Sequence, residues 1–139
     1  MYLYLDTSRG FKDIQFMDKK ENFSTALKSC HDIKGFLLEP LTREDLKIQI
    51  PEFPEYDRYW TGYRRKPSGT VYAGDIRKLN TISTLWLPGE PNFFPEELCV
   101  ALFKEQLQIF DVICSRLYYY FCEVINGDVS ILQNSIVSY

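Results

Sequence analysis

The chain has 139 residues, which against roughly 150 residues per domain leaves room for one compact domain and not for two packed ones. Hydrophobic residues make up 45% and charged residues 25%, an average soluble composition that excludes disorder and fibrous repeats. A formal net charge of -3 argues against nucleic acid as a main partner, because neutralising phosphates takes a surplus of clustered Lys and Arg.

Taken in chain order, Leu3 and Leu5 between Tyr2 and Tyr4 form a β-prone start suited to an edge or terminal strand. That start lacks the basic flank, long apolar run and small-residue cleavage site of a secretory signal, so the chain is expected to be either intracellular or a mature form. Phe23, Ala26, Leu27 and Cys30 recur at helical spacing and define one inward face. Gly35 is the expected stop, followed by a brief strand at Phe36-Leu37-Leu38 that ends before Pro40. A second helix is expected from Thr42 as N-cap, with Glu44 and Asp45 in its first turn, Leu46 and Ile50 facing inward, and Pro51 and Pro54 closing it.

From Tyr59 the pattern changes to short aromatic and β-branched runs: Tyr59 to Tyr63, Thr70 to Tyr72, Leu98 to Phe103, Ile109 to Ile113 and Tyr118 to Phe121. These are expected to be short antiparallel strands. Between Gly74 and Glu97 lies a long irregular stretch with Pro88, Gly89, Pro91 and Pro95, the kind of loop that in a compact domain carries function. No run approaches the roughly 20 apolar residues of a membrane span, so no membrane insertion by this segment is expected. Helices followed by a β-rich half define an α+β class.

The four cysteines, Cys30, Cys99, Cys114 and Cys122, include no Cys-x-x-Cys pair, and His31 is the single histidine. A zinc site is therefore not expected. Two disulfides in an oxidising compartment are the favoured reading over four buried thiols, and counting alone leaves all three connectivities open. Asn22-Phe-Ser24 is an N-glycosylation sequon that suits an extracellular origin. His31 has no catalytic partner pattern and is read as a surface or capping residue. Arg58, Arg64, Arg65, Lys66, Arg77 and Lys78 make the middle of the chain locally basic, which is read as solvated turns in preference to a patch for sulphated glycans.

Five ordered features carry a family resemblance: Phe23-x-x-Ala26-x-x-x-Cys30, Trp60-Thr-Gly-Tyr63, Trp86-Leu-Pro-Gly-Glu-Pro-Asn92, Glu97-Leu-Cys99-Val, and Asp111-Val-Ile-Cys114 through Tyr120-Phe-Cys122-Glu123. In that order they resemble the C-type lectin-like domain. The resemblance implies that fold over residues 1–123, with 124–139 as a tail or extra strand. It also implies two helices, short antiparallel sheets, and disulfides Cys30–Cys122 and Cys99–Cys114. Trp60 and Trp86 are then core residues.

The resemblance further implies that Glu90, Asn92, Glu97 and Asp111 are ligands of a calcium ion that completes its shell with paired hydroxyls of mannose-type sugars. The chemistry is reasonable, since calcium takes about 6–8 oxygen ligands, and a cis Pro91 would turn the flanking oxygens toward one ion. One departure stands out. Sugar-binding members have Trp-Asn-Asp where this chain has Ile109-Phe110-Asp111, so a calcium ligand and a donor to the sugar are lost and calcium binding is expected to be weakened, with Gln106 or Gln108 as candidate substitutes. The expected function is extracellular, calcium-dependent glycan recognition without catalysis, by a secreted or cell-surface domain. The alternative is a calcium-independent module that presents Phe93, Phe94 and Phe110 to a protein partner. Self-association is compatible with either.

Overall fold

The computed structural model describes residues 2–7, 10–40, 58–68, 71–72, 85–92 and 94–124. In chain order these form β1 (Tyr2–Thr7), β2 (Gly10–Glu21), α1 (Phe23–Asp32), β3 (Gly35–Leu37), β4 (Arg58–Arg65), β5 (Val71–Tyr72), β6 (Cys99–Phe103), β7 (Gln108–Val112) and β8 (Tyr118–Val124). They build a sheet of order β1-β2-β8-β4-β6-β7, with β3 added to β8 and β5 to β4. The expected second helix, from Thr42 to Ile50, lies outside the described residues. Among the described residues no helix is long and apolar enough to cross a membrane.

The sheet corrects one sequence expectation and adds a strand that the sequence reading did not address. It is mixed, because β4 runs parallel to β8 with Tyr59 opposite Tyr119 and Trp60 opposite Tyr120. It also contains a long strand, β2, that charge patterning concealed. β2 pairs with β8 antiparallel, and the register shifts between Met17 and Glu21. Ile14 is its buried anchor, while Asp18, Lys19 and Lys20 are exposed and erase the alternation that normally identifies a strand.

α1 begins where Asn22 caps it. The Asn22 side-chain oxygen accepts from the Thr25 amide at 2.9 Å and from the Ser24 hydroxyl at 3.2 Å, satisfying an otherwise orphaned helix N–H. The sequon asparagine thus has a structural task. The helix stops one residue earlier than Gly35 suggested. Lys34 takes the left-handed conformation, φ 61°, and Gly35 instead opens β3. There a Cβ would lie 2.5 Å from the Glu123 carbonyl oxygen, so only glycine permits this strand to approach β8.

The core lies along β4, β6 and β8. Trp60 on β4 is 1% exposed; its indole N–H donates to the Glu21 carbonyl at 2.7 Å, and its ring meets Phe23 edge-on at 5.6 Å and Tyr118 at 4.9 Å. On the alternate side of β4, Tyr59 packs with Phe121 and Phe16. Between them, Gly62 donates its N–H to the Leu38 carbonyl at 2.8 Å, and a Cβ at this position would meet the Glu39 side chain at 2.8 Å. Gly62→Ala is therefore expected to lower stability by about 1–3 kcal/mol through overpacking, read as a lower midpoint in urea with an unchanged slope.

Two disulfides close the fold. Cys30–Cys122 joins α1 to β8 across 92 positions, and Cys99–Cys114 ties the start of β6 to the turn after β7 across 15 positions. This is the connectivity that the resemblance implied. In the chain-entropy model each contributes about 3–5 kcal/mol by restricting the unfolded chain.

A carboxylate cluster at the long loop

The second half of the long loop returns to the sheet beside β7. Leu85 is buried, Trp86 is half-buried against the core and bridges to Ile109, and the Leu87 amide donates to the Ile109 carbonyl at 2.9 Å. The loop thus lies along the β7 backbone before it turns away at Pro88 and Gly89, where Gly89 has φ 82°. The Glu90–Pro91 peptide is cis, as the motif suggested. Glu90, Asn92 and Glu97 lie beside Asp111 on β7.

The four residues interact directly. The Asn92 backbone N–H donates to Asp111 Oδ1 at 3.1 Å, and the Asn92 side-chain oxygen accepts from the Phe94 N–H at 3.3 Å. Burial, aided by a hydrogen bond with Asp111 and by the charges of Asp111 and Glu97, pushes the Glu90 carboxyl up to about 7. Burial and the charge of Asp111 also raise Glu97, while a hydrogen bond from Asn92 and the charge of Arg65 oppose the rise. One oxygen of each glutamate, Oε1 of Glu90 and Oε1 of Glu97, is buried and has no hydrogen-bond partner among the described residues.

Arg65 is the residue that sequence reading misplaced. It was expected on a solvated turn with its cationic neighbours; it is 2% exposed. Its Nε donates to Asp111 Oδ2 at 3.2 Å, its Nη1 to the Lys66 carbonyl at 3.2 Å, and its Nη2 to the Phe94 carbonyl. Simple alternation would not have found it, because β4 is buried on both faces from Tyr59 to Tyr63 and its register against β6 shifts between Trp60 and Arg64; Arg64, beside it, lies over the Phe23 ring.

These facts test the donor set for calcium. Oxygen donors of this kind suit a hard cation, and three carboxylates against one guanidinium leave the cluster negative. The orphaned oxygens of Glu90 and Glu97 fit a cation; Asp111 fits poorly, because Arg65 and the Asn92 N–H engage its two oxygens. Among the described residues no group of three or more His, Cys, Asp or Glu is arranged to hold a metal ion. Of the substitutes suggested by sequence, Gln108 donates elsewhere, to the Trp86 carbonyl at 3.0 Å, and Gln106 is exposed.

Phe110 is half-buried and meets Tyr118 edge-on at 6.5 Å. It is a packing residue rather than part of an exposed aromatic surface. Phe94 is 58% exposed, and Phe93 lies outside the described residues. His31 is exposed, with Phe36 edge-on at 5.7 Å.

Residues 19–124 match the family described as the Lectin C-type domain. The chain belongs to the C-type lectin domain family. A relative, C-type lectin 37Db of Drosophila melanogaster, is 26% identical over 118 residues, covering 83% of this chain and 79% of the relative. The carbohydrate-recognition domain of cow CD23, solved in the presence of a GlcNAc2Man3 oligosaccharide, superposes with a TM-score of 0.71 at 21% identity, covering 91% of this chain and 94% of that one. A calcium-independent type II antifreeze protein superposes with a TM-score of 0.69 at 14% identity, covering 88% and 94%. At these identities the solved structures establish the fold of this C-type lectin domain and leave its ligand to its own residues.

The raised carboxyl makes one prediction about the metal-free domain. The native state holds a Glu90 proton up to about 7, whereas the ordinary value is 4.5. Between those limits the native state binds more protons than the unfolded chain, so stability falls as pH rises. In chelator the melting temperature is expected to rise as pH is lowered from 8 toward about 5.5. Glu90→Gln is expected to flatten that rise.

Proposed function

We propose that this C-type lectin domain is an extracellular glycan-recognition module. Glu90, Asn92 and Glu97 hold a weakly bound calcium ion, and mannose-type sugars are the ligands. The observation that carries the reading is the pair of buried, unpartnered carboxylate oxygens of Glu90 and Glu97 beside Asn92, on a loop whose acidic cluster is only partly neutralised. When bound, calcium supplies coordination to a pair of sugar hydroxyls. The chain's own residues do the rest: the carboxylates accept hydrogen bonds from those hydroxyls, and the Asn92 amide donates one. Charge-assisted hydrogen bonds of this kind contribute about 1.5–3 kcal/mol each, and a sugar with the wrong hydroxyl geometry forgoes them. Asp111 backs this set by fixing Asn92, and the loss of an asparagine at Phe110 lowers the number of ligands and hence the affinity. The relative from Drosophila and the oligosaccharide named with cow CD23 support glycans as the ligand class. The module binds without catalysis, and its disulfides suit a secreted or cell-surface setting.

A second reading rests on Arg65. Its guanidinium neutralises Asp111 without any metal, and a calcium-independent protein has this fold. In that reading the exposed Phe94 side of the loop contacts a protein. Retention on immobilised mannose at pH 7.5 separates the two. Glycan recognition predicts retention in millimolar calcium and elution by chelator or free mannose; flow-through under both conditions would remove the first reading in favour of the second.

A further inference from the structure

We propose that Arg65 is the long loop's resident cation: it takes the place beside Asp111 that a metal would otherwise fill, and it holds the loop in its folded shape whether or not calcium is present. The proposal does not depend on what the loop binds. Three observations meet here. Arg65, on the central strand β4, is 2% exposed and reaches both walls of the site. Its Nε donates to Asp111 Oδ2 at 3.2 Å on β7, and its Nη2 donates to the Phe94 carbonyl in the loop. Asp111 in turn accepts the Asn92 N–H at 3.1 Å through Oδ1. The arginine therefore fastens residues 92 and 94 by two routes, one through Asp111 and one direct.

Arginine suits this position for reasons of chemistry. Its planar fork directs several donors at fixed angles, whereas a metal gathers acceptors from all sides. It is part of the chain and does not dissociate, so the link persists when the calcium concentration falls. The sheet secures the arginine itself: the Arg65 N–H donates to the Leu98 carbonyl at 2.9 Å, and its Nη1 donates to the Lys66 carbonyl at 3.2 Å. Arg65 is thus a positioning residue. Its presence would leave any calcium to Glu90 and Glu97, each of which has a buried Oε1 with no hydrogen-bond partner among the described residues.

The test is backbone hydrogen exchange over residues 90–98, followed by mass spectrometry on the full disulfide-linked chain, in calcium and then in chelator. The wild-type loop is expected to stay protected in chelator, exchanging no more than about tenfold faster than in millimolar calcium, the margin that weak calcium binding at Glu90 and Glu97 supplies by mass action. Arg65→Met is expected to exchange at least about tenfold faster than wild type in chelator and to regain protection in millimolar calcium, because Asp111 is then available to the ion. Arg65→Lys, which keeps the charge with fewer donors, is expected to lie between them. A wild-type loop that loses protection beyond that margin on chelation overturns the proposal. So does an Arg65→Met loop that stays protected in chelator, or one that calcium does not restore, which would make Arg65 an ordinary packing residue. If Arg65→Met does not fold, the wild-type and Arg65→Lys comparisons decide. No sugar enters these readouts, so failed mannose retention leaves this proposal standing and failed exchange leaves glycan binding standing.

Discussion

Asp111→Ala is expected to be among the most damaging single substitutions in this domain, because it removes the carboxylate from a buried ion pair and leaves the Arg65 charge behind. Side-chain exposure at the pair is 1% for Arg65 and 0% for Asp111. Breaking such a pair from one side costs about 3–5 kcal/mol, which for a chain of this length lowers the melting temperature by about 10 °C or more. The Asn92 N–H also loses its acceptor, so glycan binding is expected to fail in the fraction that stays folded. Replacing both partners, Arg65→Met with Asp111→Leu, is expected to recover most of the lost stability, because two apolar groups of similar volume leave no unpaired charge. The same double variant does not restore the links to Asn92 and Phe94. Thermal unfolding should therefore improve while hydrogen exchange in the loop remains fast, and equal recovery of both would show that the pair stabilises the core without shaping the site.

Trp60→Ala is expected to cost a similar amount, about 3–5 kcal/mol, by opening a cavity that neighbouring side chains fill only in part. The residue is at the centre of one of the two packed clusters, alongside Phe23, Ala26, Leu37, Ala101, Val112 and Tyr120 and the sulfurs of Cys30, Cys99 and Cys122. Its loss also strips the donor from the Glu21 carbonyl, next to the point where β2 shifts register against β8. Urea unfolding of the oxidised protein measures the cost. A loss below about 1 kcal/mol would mean that the cluster closes over the gap.

Particular residues show why part of this was readable from sequence. The helical spacing of Phe23, Ala26 and Cys30 reports one buried face directly, and those three are the buried residues of α1. The aromatic run at Tyr59 to Tyr63 lies within β4, whose residues are buried on both sides, so it has the dense apolar character of a central strand. β2 has the opposite character. Its charged residues face water and its core contact falls to Ile14, with Phe16 packed at the margin; a local reading has too little apolar signal to act on.

At the site, the motif around Pro91 and the acidic residues near Cys99 and Cys114 located the cluster, because side-chain chemistry and disulfide anchoring are both local in sequence. The role of Asp111 was not legible. Its partner Arg65 lies 46 positions away among Arg64 and Lys66, where charge alone suggests solvent. A run of cations is averaged by eye, and β4, buried on both faces from Tyr59 to Tyr63 and shifted in register before Arg64, offers no simple alternation to separate its members. The packing of Phe110 against Tyr118 depends on a strand pairing that spacing does not reveal.

The most direct measurement is a calorimetric titration of calcium into metal-free protein at pH 7.5, with Glu90→Gln and Glu97→Gln alongside. The account predicts a single weak site, with a dissociation constant of about 10⁻⁴–10⁻³ M, the range of extracellular modules with few charged ligands, and loss of that site in either variant. Absence of binding up to about 10 mM calcium, or binding that survives both substitutions unchanged, would contradict it.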